Sequence, residues 1–205
     1  MSFINKILEI AEPIWPDDAE LPRSFQSLAP IYDSHNGAFV FESSLLILPT
    51  VGTFELPGLV EWNAPDGWRQ SYPVPDDLAF FAMDVFGVQF GVCDRGVFRL
   101  EPESGELTAH AGDLEEWASK ILDDYEVETG FPIAHEWQEL HGSLPVGVRL
   151  LPQQPFILGG EYAVENLVPW PMSGMMEQFI NLYKQIAELP DGQTVQITGW
   201  LEHEG

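Results

Sequence analysis

Between Phe80 and Leu122 the apolar residues change their spacing once, and that change limits what the chain can fold into. The stretch reads FFAMDVFGVQFGVCDRGVFRLEPESGELTAHAGDLEEWASKIL. Phe86, Val88, Phe90 and Val92 alternate with Gly87, Gln89, Gly91 and Cys93. A period of two predicts a strand with one bulky and one nearly bare face. Asp94-Arg95-Gly96 is a turn signal, Val97 to Leu100 a second strand, Pro102 to Gly105 another turn, and Leu107 to His110 a returning strand. The period then becomes helical: Leu114, Trp117, Ala118, Ile121 and Leu122 share one face. Asp113 is placed to cap this helix, with Glu116 completing a capping box. Burial of Trp117, Ile121 and Leu122 is worth roughly 1.5–3 kcal/mol each, against about 1 kcal/mol for the cap. Packing therefore holds the helix, and the cap sets where it starts.

The flanks add helices and strands in separate blocks. Ile4, Ile7, Leu8 and Ala11 predict a short helix ended by Pro13. Leu21, Phe25, Leu28 and Ala29 predict a second, with Pro22 in its first turn, Pro30 interrupting it and Asn36-Gly37 closing it. Phe39 to Phe41 and Leu45 to Leu48 are strand candidates around Glu42-Ser43-Ser44. Residues 49–75 read as a loop-rich insertion, in which Trp62, Trp68 and Tyr72 are packing anchors before they are a ligand cage. Ile133, Trp137 and Leu140 mark a helix between Thr129 and His141, with Pro132 at its start and Gly142 at its end. Val146 to Leu151 is a strand, and Pro155 to Leu158 a short apolar run. A long helix runs from Ser173 to Leu189 on Met176, Phe179, Ile180, Tyr183, Ile186 and Ala187. Val195, Ile197 and Gly199-Trp200 offer a last strand. A meander with segregated helices predicts an α+β fold, a central mostly antiparallel sheet with helices around it. A length of 205 residues suits one domain, 1–205.

No motif in the chain specifies a catalytic chemistry. His135 and His141 are six apart, about 240° around a helix, and do not share the face a zinc-protease helix needs. Cys93 is the single cysteine, so CxxC metal sites and intrachain disulfides are excluded; among small and apolar neighbours it reads as a packing thiol. No GxSxG elbow is present, and Gly159-Gly160 lacks the spacing of a phosphate loop. The acid pairs Asp17-Asp18, Asp76-Asp77, Glu115-Glu116 and Asp123-Asp124 do not by themselves place two carboxyls across a cleft. Asp84, set among Phe81, Met83 and Phe86, is the acid whose surroundings suggest a perturbed pKa, although an Asp there more often accepts backbone N–H groups in a turn. Neither a cofactor nor a metal is expected.

Charge excludes more than the motifs do. Thirty-three Asp and Glu against eight Lys and Arg give a net charge of −25. Such a surface repels nucleic-acid phosphates and anionic lipid, and favours basic partners or simple solubility. The acids peak between Glu101 and Glu128, around Lys120 alone. Glu101, Glu103, Glu115, Glu116, Asp123 and Asp124 are the candidate partner-binding residues on that edge. MSFINKILEIAEP carries a single Lys6, acids at Glu9 and Glu12 and no continuous apolar stretch, so it does not read as a signal peptide, and no apolar run approaches the ~20 residues of a membrane span; a cytoplasmic location is expected. The oligomeric state is left open.

The order of these segments resembles a known family. Leu21-Pro22 and Asn36-Gly37 are followed by FFAMDVFGVQFGV, PESGEL and DLEEWASKIL. AHEWQELHGSLPVGVRLLPQQPFILGG, EYAVENL and LPDG come after them. The sequence is similar to SUKH-superfamily proteins, which include a yeast cell-wall synthesis regulator and many bacterial proteins. The similarity runs from about Leu21 and is best from Leu78 to Asn166. It implies an antiparallel sheet with helices around it and a binding module without catalytic residues, since many bacterial members are thought to be immunity proteins that neutralise a toxin. With the acid excess, the resemblance implies a protein-binding module, an immunity protein for a basic toxin such as a nuclease. The alternatives are a carboxylate-based hydrolase using Asp84 or an acid near it, and a regulatory or scaffolding protein. A cleft with two buried, facing acids would favour the hydrolase.

Overall fold

Apolar side chains on both faces of the central strands require a sheet covered on both sides. Leu45 and Ile47 turn to one face, Leu46 and Leu48 to the other, and all four are buried. The structure is a computed structural model that describes residues 2–15, 20–190 and 196–201. Its strands β1 (Glu12–Trp15), β2 (Asn36–Val40), β3 (Leu45–Ile47), β4 (Ala79–Asp84), β5 (Gln89–Cys93), β6 (Gly96–Glu101) and β7 (Glu106–Ala111) form one sheet in sequential order. Every neighbouring pair is antiparallel. β8 (Val148–Pro152) and β9 (Leu167–Pro171) make a separate antiparallel ladder. The helices are α1 (Phe3–Glu9), α2 (Ala29–Tyr32), α3 (Leu59–Trp62), α4 (Leu114–Asp123), α5 (Tyr125–Thr129), α6 (Phe131–His141) and α7 (Met172–Ile186). The architecture is the expected α+β one.

One face of the sheet is covered by α1, α2 and α4. Trp117 of α4 is 1% exposed, edge-on to Phe81 at 4.9 Å and to Phe90 at 6.0 Å. A register shift between Phe80 and Ala82 turns both Phe81 and Ala82 towards this face. The opposite face is covered by α7 and the insertion, where Trp62 and Tyr72 are buried and Trp68 packs beside them. Trp62 donates its indole N–H to the buried Gln89 at 2.9 Å, which ties the insertion to the sheet. A third cluster holds Val85, Phe86, Ala134, Trp137, Leu150 and Leu167, joining α6 to the β8–β9 ladder.

Several expectations are corrected. Phe86 and Val88 lie in a turn, not in β5; their alternation continues that of Phe90 and Val92, but Gly87 takes φ +89° and the chain reverses there. β1 falls where a helix stop was expected, and Pro13 is tolerated because β1 is an edge strand. The second helix is a 3-10 segment, Arg23–Leu28, running into α2 with Pro30 inside it. Asn36-Gly37 opens β2, where the Asn36 side chain accepts from the Thr50 N–H and hydroxyl. Glu116 takes the N–H of Gly112 at 2.7 Å, one residue earlier than in a capping box, while Asp113 caps the Glu116 N–H at 2.8 Å. Leu140 is 67% exposed; the buried residues of α6 are Ala134 and Trp137. Residues 155–158 contain a 3-10 turn. Residues 196–201 form no strand, and Val195, like Asp17 and Asp18, lies outside the described residues.

Candidate functional site

Three chain reversals meet at one end of the sheet. The first follows β4, where Asp84 begins the turn. Its Oδ1 accepts the N–H groups of Phe86 and Val88, each at 2.9 Å, and Gln89 donates its side-chain amide to the Gly87 carbonyl at 2.7 Å. The second follows β6 at Glu101–Gly105. The third is the α5–α6 junction at Gly130, which takes φ +70°. A Cβ on Gly130 would sit 2.3 Å from the Phe86 ring, so glycine is required both for the left-handed backbone and for the ring to lie there.

Between these reversals lies a cavity of about 630 Å³, closed on a fourth side by residues 156–162. Phe156 and Tyr162 stack at 3.9 Å and 5°, with Phe86 edge-on to them at 5.3 and 5.9 Å. Glu103 fastens this wall: its two carboxylate oxygens accept the N–H groups of Phe156 (3.1 Å) and Ile157 (2.7 Å). The charged residues of the lining are Asp84, Glu101, Glu103, Glu106 and Glu126 against Arg99 alone. Arg99 pairs with Glu101 at 2.8 Å. At the rim Val127 is 73% exposed, Tyr162 64%, and Ile157 is exposed as well.

Burial sets the protonation of these acids. Asp84 is 3% exposed, and desolvation, then the nearby Glu101, push its carboxyl up to about 7 against the pull of Arg99 and the two N–H bonds. Glu101 and Glu103 are also held above the ordinary carboxylate range, chiefly by burial. The Asp84 carboxylate has its hydrogen bonds on Oδ1; among the described residues Oδ2 has no hydrogen-bond partner. Asp84 lines the cavity, and Oδ2 is not one of the buried unpartnered atoms, so a proton or a cation can reach it from the cavity.

The six acids expected to form one edge are dispersed. Glu101 lines the cavity. Glu103 is 7% exposed and committed to backbone bonds, so it is not a surface charge. Glu115 accepts the Phe3 N–H at 2.7 Å and anchors α1. Glu116 is tied to Gly112 and to Lys120 at 3.0 Å. Asp123 and Asp124 are exposed at the far end of α4, roughly 15 Å along a ten-residue helix. Sequence reasoning named Asp84 but did not bring it together with Glu101. It missed Glu106, Glu126, Phe156 and Tyr162 as one site, because they come from three separate segments. His135 pairs with Glu42 at 2.7 Å and His141 lies against Trp137 at 4.7 Å. Among the described residues no three His, Cys, Asp or Glu converge to hold a metal ion. Cys93 is half-buried against the Leu78 and Phe80 cluster.

Neither protein-family models nor curated proteins match the chain. Among solved structures it is similar to Atu4351 from Agrobacterium tumefaciens, at 11% identity over 86% of this chain and 87% of that one, with a TM-score of 0.54. The likeness is one of fold. It assigns no activity to the cavity. Among the described residues no helix is long and apolar enough to cross a membrane.

Proposed function

We propose that this chain is a non-catalytic protein-binding module whose partner is basic, and that the partner docks over the cavity between β6, the α5–α6 junction and residues 156–162. The observation that carries the reading is the mouth of that cavity. Exposed Val127, Ile157 and Tyr162 stand beside Glu101, Glu106 and Glu126. Apolar anchors within a charged rim are the composition of a docking surface, in which the anchors hold and the charges steer. The resemblance to SUKH proteins supports a finer form of the same proposal: a cytoplasmic immunity protein that occupies the phosphate-binding surface of a basic nuclease toxin. A regulatory partner of the same charge would be held by the same surface.

The test uses a basic protein that co-purifies with this chain, sought first among the products of neighbouring genes. Glu106→Lys combined with Glu126→Lys should alter stability by only about 0.5 kcal/mol each, because both residues are exposed. The pair should slow association by about tenfold at low salt and flatten its salt dependence. Unchanged rates and salt slopes would remove the cavity mouth from the interface.

A second reading has one observation in its favour. Asp84 and Glu101 share a cavity, and Asp84 titrates near 7, as a carboxyl acid–base catalyst requires. Turnover of an aryl glycoside or ester that vanishes in Asp84→Asn would support a hydrolase in place of a binding module.

A further inference from the structure

We infer that the cavity is a receptor for one arginine side chain of the partner, its guanidinium set against Asp84 and Glu101 and its methylene stem against Phe86, Phe156 and Tyr162. The inference rests on the protein-binding reading and adds which side chain enters. The acid excess of the lining disfavours anionic ligands. Asp84, the least exposed of its polar residues, keeps Oδ2 without a hydrogen-bond partner among the described residues. Glu103 has no such capacity, because both of its oxygens hold the 156–157 backbone. Arg99, the sole cation of the lining, already pairs with Glu101 and leaves Asp84 without a bonded positive group.

Shape and chemistry of the wall then choose among cations. The stacked Phe156–Tyr162 pair and the perpendicular Phe86 offer flat apolar faces. A planar guanidinium stacks on such faces and forks onto a carboxylate, and it gives up less hydration than an ammonium does. A free polyamine shares the positive charge, but the exposed apolar rim of Val127 and Ile157 fits the flanking residues of a polypeptide. The bound cation also draws the proton from Asp84. The groups facing that carboxyl are Glu101 and Arg99 on β6, Arg149 on β8 and Tyr162 on the wall. Binding therefore tightens as pH rises through about 7.

The test titrates the isotope-labelled chain with N-acetyl-arginine amide, its lysine counterpart, the neutral isostere N-acetyl-citrulline amide, and spermidine, at matched ionic strength. The arginine amide should produce saturable resonance shifts at Phe86–Val88, Gly130, Ile157 and Tyr162, with a dissociation constant in the ~mM range for so small a ligand. Citrulline amide should bind about tenfold more weakly or worse. Lysine amide should bind more weakly than arginine amide, and Glu101→Gln should weaken arginine severalfold. Equal binding of arginine and citrulline amides, shifts outside the cavity, or no saturable shift would overturn the inference. Tighter binding of spermidine than of arginine amide would overturn the protein source. If the arginine amide fails while Glu106→Lys with Glu126→Lys still slows the partner, the receptor falls and the docking reading stands. If the amide binds and no basic protein does, the docking reading falls.

Discussion

Trp117→Ala is expected to lower the free energy of unfolding by about 3–5 kcal/mol, the range for truncating a large buried aromatic. Trp117 is the largest of the fully buried side chains and fills the space between α4 and the sheet, edge-on to Phe81 and Phe90. Neither neighbour can close the void without leaving its own strand position. Among the described residues the indole N–H has no hydrogen-bond partner. Trp117→Phe should therefore cost far less, about 1–2 kcal/mol, since no bond is lost and part of the ring volume is kept. Urea denaturation of the two variants measures the difference. A loss below about 1.5 kcal/mol for the alanine variant would show that this face repacks freely.

Asp84→Asn is expected to stabilise the protein at pH 8 and to lose that advantage at pH 5. The folded carboxyl titrates near 7 and the unfolded one near 3.8. The stability that Asp84 contributes is thus fully present below 3.8 and is lost as pH rises through 7, where the buried group must carry charge. A rise of that size corresponds to about 4 kcal/mol. Asparagine keeps an Oδ1 for the Phe86 and Val88 N–H groups, but it removes the nearby negative charge that helps keep fully buried Arg149 protonated. The net gain at pH 8 should therefore be on the order of 2 kcal/mol. His110 acts with the opposite sign. Burial, aided by Lys120 and Arg99, lowers it to about 4, so its contribution is present above 6.5 and is lost as pH falls towards 4. In the wild type the two groups oppose each other between about 7 and 4, and the stability profile there is shallow. The Asn variant should fall steadily over that interval. Chemical denaturation across pH 5 to 8 reads both slopes; parallel curves for the two proteins would mean that Asp84 is not desolvated.

The elements legible in the sequence were those whose pattern is local. The α4 face, the Asp113 cap, and the turns at Asp94-Arg95 and Pro102–Gly105 follow from spacing within a few residues. The aromatic anchors Trp62, Trp68 and Tyr72 were also legible, because their apolar area has to be buried somewhere. Phe86 and Val88 misled because alternation can run through a reversal, and only the positive φ of Gly87 ends the strand. β1 was hidden because four residues containing Pro13 carry too little pattern. The cavity was not legible as a site. Asp84 stood out by its apolar neighbours, yet Glu101, Glu126, Phe156 and Tyr162 reach it from separate segments. Their acidity pointed to one surface edge, whereas folding buries Glu103, pairs Glu101 with Arg99 and leaves Glu106 and Glu126 at the rim.

In the bound state the partner covers this cavity. Hydrogen–deuterium exchange of the chain, free and bound to a basic protein partner, sought first among the products of neighbouring genes, tests this along the backbone. The prediction is slowed exchange on binding at residues 84–88, 101–106, 126–133 and 156–162, with α1 unchanged. Slowing confined to α1 and the first turn of α4, with those four segments exchanging as in the free chain, would contradict it.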